Sequence, residues 1–192
     1  MLKPAAVPAQ PVGFPLAALV GQEEMVAALL LLAVDPSLGG LLLMGEKGTA
    51  KSTAARALAE LLPPRGGVAA PFRTVPLGVT EDRLLGGLDW EGTLQNARPV
   101  LKPGLLSEAD HGLVYIDEVN LLEPGLAHLL LDAAAAGQVV LEREGLSAVQ
   151  PARVALLATM NPEEGPLGPQ LADRFALSVR LAGEAEPGRR AL

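Results

Sequence analysis

Residues 45–52 read GEKGTAKS and match the phosphate-binding pattern GxxxxGK[ST], except that Ala50 stands where the second glycine is usual. In such a loop, backbone N–H groups and the first turn of the following helix converge on the phosphates. Lys51 neutralises the β and γ phosphates, and the Ser52 hydroxyl binds Mg²⁺. The pattern predicts a site for ATP and Mg²⁺. Its members would be Gly45, Glu46, Lys47, Gly48, Thr49, Ala50, Lys51, Ser52 and Thr53.

A glycine-containing turn followed by a chance Lys-Ser pair is the alternative interpretation of the same stretch. Ala50 adds a Cβ where the backbone approaches a phosphate, although alanine is the smallest possible intrusion. The apolar run Leu41–Met44 predicts a buried strand before the loop, and the spacing of apolar residues predicts a helix over 51–62 after it. This strand, loop and helix order favours the phosphate site.

Two acidic residues, Asp117 and Glu118, directly follow the apolar run Leu113–Ile116. We expect Asp117 to hold the Mg²⁺ shell and Glu118 to polarise the water that attacks the γ-phosphate, since phosphoryl transfer needs mainly positioning and charge stabilisation. Taken alone, two acids after a strand are more often a solvated strand end or a helix cap. Coupled to the phosphate loop, they predict hydrolysis.

Two further polar residues follow the third apolar run, Val154–Thr159. Asn161 can orient the attacking water by hydrogen bonding, and an ordinary Asn-Pro turn with Pro162 is an equally good interpretation. Arg174 lies beyond a proline-containing loop, where it either pairs with Asp173 at the surface or serves a neighbouring subunit.

Each of these motifs follows a short apolar run, and helical segments separate the runs. The fold class is therefore predicted to be α/β, with a parallel sheet flanked by helices and its ligands at the carboxyl edge of the strands. Helical spacing covers 22–34 and about 122–136. The stretches 86–104 and 139–153 predict two β-hairpin insertions.

Composition limits the remaining possibilities. The 192 residues are 49% apolar, which suffices for one core, and we assign 1–13 to a flexible leader and 14–192 to a single domain. The absence of cysteine excludes disulfides and thiolate metal sites. A net charge of −7 without a basic stripe argues against nucleic acid, and the apolar runs are shorter than the roughly 20 residues of a membrane span. We expect a cytoplasmic protein with neither nucleic acid nor membrane as a partner.

With these residues in place, the chain resembles the P-loop NTPases of the AAA+ group, and specifically the ATPase subunit of magnesium chelatase and its cobaltochelatase counterpart. The resemblance runs from about Phe14 to Leu181. Further segments carry it, namely Val20-Gly21-Gln22-Glu23, Glu81-Asp82-Arg83, Pro103-Gly104-Leu105-Leu106, the stretch Tyr115–Leu122, Glu142-Arg143-Glu144-Gly145, Met160–Gly165 and Asp173-Arg174-Phe175.

The resemblance implies roles for several residues. Val20, Gly21 and Gln22 would lie at the adenine, and Asn161 would be the sensor-1 residue. Arg174 would be the arginine finger that reaches the ATP of the adjacent protomer in a ring, typically hexameric. The family would also continue past Leu192 into a helical lid.

The implied function is ATP-driven insertion of a divalent metal into a tetrapyrrole, together with a second AAA+-related subunit and a large porphyrin-binding subunit. A cobaltochelatase subunit and a remodelling ATPase of the MoxR type share the same site residues and stay open as alternatives. A DNA motor should have basic hairpins, whereas 139–153 offers Arg143 and Arg153 against two glutamates. A non-hydrolysing binding module is disfavoured, because Lys51, Ser52, Asp117 and Glu118 are all present.

Overall fold

The computed structural model describes residues 16, 19, 21–46, 48–143 and 146–181. The predicted leader and the predicted ligand residues Val20 and Lys47 lie outside these residues. The elements follow one another as α1 (Glu23–Val34), β1 (Leu41–Met44), α2 (Lys51–Leu61), β2 (Phe72–Val75), α3 (Glu81–Leu85), β3 (Gly86–Leu88), α4 (Trp90–Asn96), β4 (Leu101–Pro103), α5 (Leu105–Glu108), β5 (Leu113–Ile116), α6 (Pro124–Ala136), β6 (Gln138–Arg143), β7 (Leu146–Pro151), β8 (Ala155–Met160), α7 (Pro169–Ala172) and β9 (Leu177–Arg180).

The central sheet is parallel, and its strands lie in the order β2-β5-β8-β1-β9. The predicted α/β class and the three central strands are confirmed, with boundaries within one residue. The two outer strands were not predicted. Strand β2 contains Arg73 and Thr74, and β9 contains Ser178 and Arg180, so neither forms the continuous apolar run that a fully buried strand shows.

The core lies on both faces of this sheet, because successive side chains of a strand point to opposite sides. Leu41 and Leu43 of β1 pack with α1 and α2, whereas Leu42 between them belongs to the cluster that includes α6 residues such as Leu130. A parallel sheet covered on both faces needs apolar residues at every position. The low aromatic content is therefore compensated by leucine, alanine and valine.

Two antiparallel strand pairs stand apart from the sheet. Strands β6 and β7 pair over their whole length and confirm the second predicted hairpin. Strands β3 and β4 also pair, but the helix α4 connects them, and the sequence analysis did not predict it. Asp89 starts this helix, because its carboxylate accepts a hydrogen bond from the Gly92 N–H at 3.0 Å.

The helices of the described part of the chain are too short or too polar to cross a bilayer.

Candidate nucleotide site

The predicted phosphate loop connects the end of β1 to the start of α2. The Gly45 N–H donates to the Met160 carbonyl at 3.0 Å, which ties the loop to the neighbouring strand β8. A Cβ at Gly45 would lie 2.9 Å from both the Cβ and the carbonyl oxygen of Leu181, so only glycine fits there. The Lys51 ammonium donates to the carbonyls of Gly45 at 2.5 Å and Glu46 at 2.8 Å. Its charge therefore lies directly over the loop.

Ala50 has a left-handed backbone, with φ of 60° and ψ of 18°. An L-residue in this region loses about 1–2 kcal/mol relative to the right-handed one, whereas glycine has no such cost. The usual glycine at this position is thus explained by backbone conformation. The steric effect of the Ala50 Cβ, which the sequence predicts, is therefore joined by a conformational one.

The two acids follow β5, as predicted. One carboxylate oxygen of Asp117, Oδ1, accepts hydrogen bonds from the Tyr115 hydroxyl at 2.8 Å and the Thr159 hydroxyl at 2.7 Å. The Ser52 hydroxyl lies 3.1 Å from the same Tyr115 oxygen. A phenol is protonated at neutral pH, and burial raises the pKa of Tyr115 further. The two predicted Mg²⁺ ligands, Ser52 and Asp117, are therefore linked through the hydroxyl group of Tyr115.

Glu118 also has a left-handed backbone, with φ of 54°. Its N–H donates to the Thr159 hydroxyl at 3.1 Å, so the turn after β5 is tied to β8. A non-glycine residue in this region is uncommon, and such residues cluster at functional sites. The turn places Glu118 in the lining of a cleft at the carboxyl edge of the sheet.

Asn161 lies just after β8 and is 3% exposed. Its Oδ1 accepts a hydrogen bond from the Glu163 N–H at 3.3 Å, which caps the short 3-10 helix Pro162–Glu164. The same residue lines the cleft. The two interpretations of Asn161, as a turn residue and as a site residue, are therefore compatible.

These residues surround a cleft of about 360 Å³ at the carboxyl edge of the sheet. It is formed where β1, β5 and β8 end, which is where a parallel sheet places its ligands. Its lining consists of Gly48, Thr49, Ala50, Lys51, Ser52, Thr53, Asp117, Glu118 and Asn161.

Other predicted site residues lie elsewhere. Arg174 is not among the residues that line the cleft, and it forms an ion pair with Asp132 of α6. The alternative prediction that Arg174 pairs with Asp173 is therefore wrong. Asp173 is its neighbour in the chain, but the guanidinium reaches Asp132 of α6 instead. Gly21 and Gln22 precede α1 and do not line the cleft either.

Sequence reasoning missed Tyr115 and Thr159. Each lies two positions before a predicted site residue on the same strand or its immediate extension, and residues two apart share a face of a strand. A hydroxyl two residues before Asp117 or Asn161, inside an otherwise apolar run, was the signal that would have found them.

The profile of the AAA domain, dynein-related subfamily, matches residues 40–175. The matched range includes the phosphate loop, both acids, Asn161 and Arg174. The chain therefore belongs to the AAA family.

Similar proteins narrow the comparison. The chain is 47% identical over 195 residues to the magnesium-chelatase 38 kDa subunit of Cereibacter sphaeroides, covering 88% of this chain and 58% of that protein. It is 44% identical to the magnesium-chelatase subunit ChlI homolog of Methanocaldococcus jannaschii, covering 88% and 55%. Its identity to an uncharacterised protein of Mycobacterium tuberculosis is 51%, covering 86% and 27%. The chain thus spans little more than half the length of the chelatase subunits that it matches.

A solved structure agrees with these relatives. A cryo-EM-based structure of the complex between subunits BchI and BchD of magnesium chelatase superimposes with a TM-score of 0.80 at 44% identity, covering 93% of this chain and 64% of that one. The predicted resemblance to AAA+ proteins and to the chelatase ATPase subunit is confirmed.

Proposed function

We propose that this domain binds and hydrolyses ATP with Mg²⁺ and acts as the motor subunit of a chelatase-type complex. The observation that carries the proposal is the meeting of Lys51, Ser52, Asp117, Glu118 and Asn161 in one cleft. These residues come from three separate segments of the chain. A turn that matched the phosphate-loop pattern by chance would have no reason to lie beside the other two segments.

The residues that face the cleft fit Mg²⁺. A hydroxyl and a carboxylate are hard oxygen ligands, and Mg²⁺ is typically held by one or two such protein groups together with phosphate oxygens and waters. Ser52 and Asp117 would hold the ion. When bound, it would neutralise charge on the phosphate oxygens during transfer.

The remaining groups divide the chemistry between them. The Lys51 ammonium, already over the loop, binds the β and γ phosphates. Glu118 polarises the attacking water, and Asn161 orients it by a hydrogen bond. Since both side chains line the same cleft as Lys51, the nucleophile and the phosphate can be positioned together.

Arg174 would act on the ATP of an adjacent copy in a ring. Its side chain is 43% exposed, and its partner Asp132 is 56% exposed. An ion pair in water contributes little, with a median of about 0–1 kcal/mol, so a neighbour's phosphate can replace Asp132 at small cost.

The larger assembly is proposed by similarity. Identities of 44–47% to curated chelatase subunits, and the match to a BchI–BchD complex, support a partner subunit of the AAA+ type. A large porphyrin-binding subunit would then carry out insertion of the divalent metal into the tetrapyrrole, while this chain supplies the ATP-driven step.

The test is ATP turnover measured with and without a candidate large subunit, and with Mg²⁺ or EDTA. We expect turnover that requires Mg²⁺ and rises with the partner. No turnover under any of these conditions, in protein shown to be folded, would contradict an ATPase function. Turnover that the large subunit never changes would contradict the chelatase assignment alone.

A further inference from the structure

The Tyr115 hydroxyl lies between the two proposed Mg²⁺ ligands and contacts both. It lies 3.1 Å from Ser52 Oγ at the start of α2 and 2.8 Å from Asp117 Oδ1 after β5. Ser52 and Tyr115 are 63 residues apart in the sequence. No role in the phosphate loop or the acid pair requires this tyrosine.

The directions of the hydrogen bonds follow from counting protons. A carboxylate only accepts, so the single Tyr115 proton goes to Asp117. The Tyr115 oxygen can then only accept from Ser52, which must donate its own proton. The lone pairs of the Ser52 oxygen are thereby left for a cation, and a hydroxyl that binds a cation needs such an acceptor for its proton.

Thr159 completes the arrangement from the other side. Its hydroxyl donates to Asp117 Oδ1 at 2.7 Å and accepts the Glu118 N–H at 3.1 Å. Two hydroxyl donors therefore converge on one oxygen of Asp117. The carboxylate is fixed in rotation, and its Oδ2 atom is left for the metal.

The surroundings hold the phenol in place. Tyr115 is 5% exposed, and its ring stacks on Phe72 of the edge strand β2, with centroids 6.2 Å apart and planes inclined by 20°. A side chain packed on one face by an aromatic ring has few rotamers available, so its hydroxyl position is defined before any ligand binds.

We infer that Tyr115 is a positioning residue of the magnesium centre, which pre-orients Ser52 and Asp117 through its hydroxyl, with Thr159 as the second support of Asp117. The inference rests on the proposed function, because it assigns these two ligands to Mg²⁺. It deepens that function by naming what sets the affinity for the ion.

The experiment compares Tyr115→Phe with the wild-type chain in binding of a fluorescent ATP analogue at rising MgCl₂ concentrations. We expect the half-saturating Mg²⁺ concentration to rise at least about fivefold, because Tyr115→Phe removes the hydrogen bonds to both Asp117 and Ser52, while affinity in EDTA stays unchanged. Phe72→Leu removes the stacking but keeps the hydroxyl, so its Mg²⁺ requirement should rise by less than that of Tyr115→Phe.

A second pair of variants keeps the test independent of how Tyr115→Phe folds. Thr159→Val removes the other hydroxyl, and Thr159→Ser restores it, so we expect a raised Mg²⁺ requirement in the first and a near-normal one in the second. An unchanged Mg²⁺ midpoint in Tyr115→Phe and Thr159→Val would overturn the inference, as would an equal loss of affinity in EDTA. A wild-type chain that binds no nucleotide with Mg²⁺ would instead contradict the proposed function itself.

Discussion

The nucleotide cleft and the Arg174 region differ in how the fold holds them. In the cleft, three strand ends converge, and buried hydroxyls from Tyr115 and Thr159 fix Asp117. Arg174 has one described ion-pair partner, the exposed Asp132, and lies outside the cleft. Under the proposed function, each chain would supply a pre-organised cleft for phosphate and metal, whereas the exposed arginine could exchange its partner.

The largest effect on ATP affinity should come from the cleft. Lys51→Ala removes the charge at the β and γ phosphates, and we expect ATP affinity to fall by about 100-fold or more, since several charge-assisted hydrogen bonds are lost together. Isothermal titration with ATP and Mg²⁺ measures it. Arg56→Ala, which removes an exposed cation from the same helix, is the control and should bind normally. Equal losses in the two variants would mean that general charge, and not the loop, attracts the nucleotide.

Glu118→Gln separates binding from chemistry within the same cleft. The amide keeps the size of the side chain but polarises water poorly, so we expect turnover to fall by about 10²–10³ while ATP affinity changes little. Steady-state turnover and equilibrium binding on one preparation decide it. A matched fall in affinity would place Glu118 in binding, and its proposed role would be wrong.

Arg174→Ala tests the other half of the comparison. In assembled protein we expect turnover to fall by about 10³, the lower end of the range for an arginine finger, with folding and ATP binding retained. Asp132→Asn removes the same ion pair but keeps the guanidinium, so its turnover should stay near wild type. Mixed rings of Arg174→Ala and Lys51→Ala subunits should regain activity, because one subunit contributes the loop and its neighbour the arginine. Mixed rings without any recovery would contradict action in trans.

A smaller effect is expected at Ala50, where the cleft carries backbone strain. Ala50→Gly removes a left-handed cost of about 1–2 kcal/mol but adds unfolded-state entropy of about 0.4–1 kcal/mol, so the free energy of unfolding should rise by about 0.5 kcal/mol. Urea unfolding followed by circular dichroism measures it. Ala59→Gly in the interior of α2 should instead lower stability by about 1 kcal/mol. A loss of stability in both would mean that the strain at Ala50 is not real.

The sequence predicted the parts of the molecule that depend on local spacing. The phosphate loop and the acid pair each lie on one short segment, so their position at strand ends followed from the apolar runs before them. The edge strands β2 and β9 were not predicted, because half-exposed strands show only a weak alternation of apolar and polar residues. Helix α4 was not predicted, because none of its residues is buried and it therefore has no apolar face to recognise.

Long-range contacts of single side chains were the least predictable. The partner of Arg174 lies on α6, far from Asp173 in sequence, and nothing in the local pattern points to it. The hydrogen bonds from Tyr115 and Thr159 to Asp117 depend on the order of strands in the sheet, which places β5 beside β8. Chain order alone does not give that neighbourhood, because β6 and β7 intervene.

A small effect on stability is expected at Glu108, whose ion pairs serve as a comparison for the Arg174–Asp132 pair. The Glu108 carboxylate, at the end of α5, accepts hydrogen bonds from both terminal nitrogens of Arg83, at 2.5 and 3.1 Å. It also accepts one from the Nε of Arg73 at 3.2 Å. The hydrogen bonds from Arg83 are the main cause that lowers the pKa of Glu108; burial opposes them, and the single hydrogen bond from Arg73 lowers the pKa further. The carboxyl is only 23% exposed, but both arginines are more than 40% exposed, so water and salt screen the interaction.

A carboxyl with a lowered pKa stabilises the fold above its ordinary value of 4.5, and that stabilisation is lost as pH falls through the lower folded value. We therefore expect Glu108→Gln to lower the free energy of unfolding at pH 7 by less than about 1 kcal/mol, and the difference from wild type to shrink below pH 4.5. Urea unfolding across this range, with Asp132→Asn beside it, measures both ion pairs on one scale. Because Glu108 binds two arginines and Asp132 one, Asp132→Asn should cost less at pH 7. A larger loss for Asp132→Asn would show that Arg174 is held firmly in place by α6, and the contrast between a fixed cleft and an exchangeable arginine would fail.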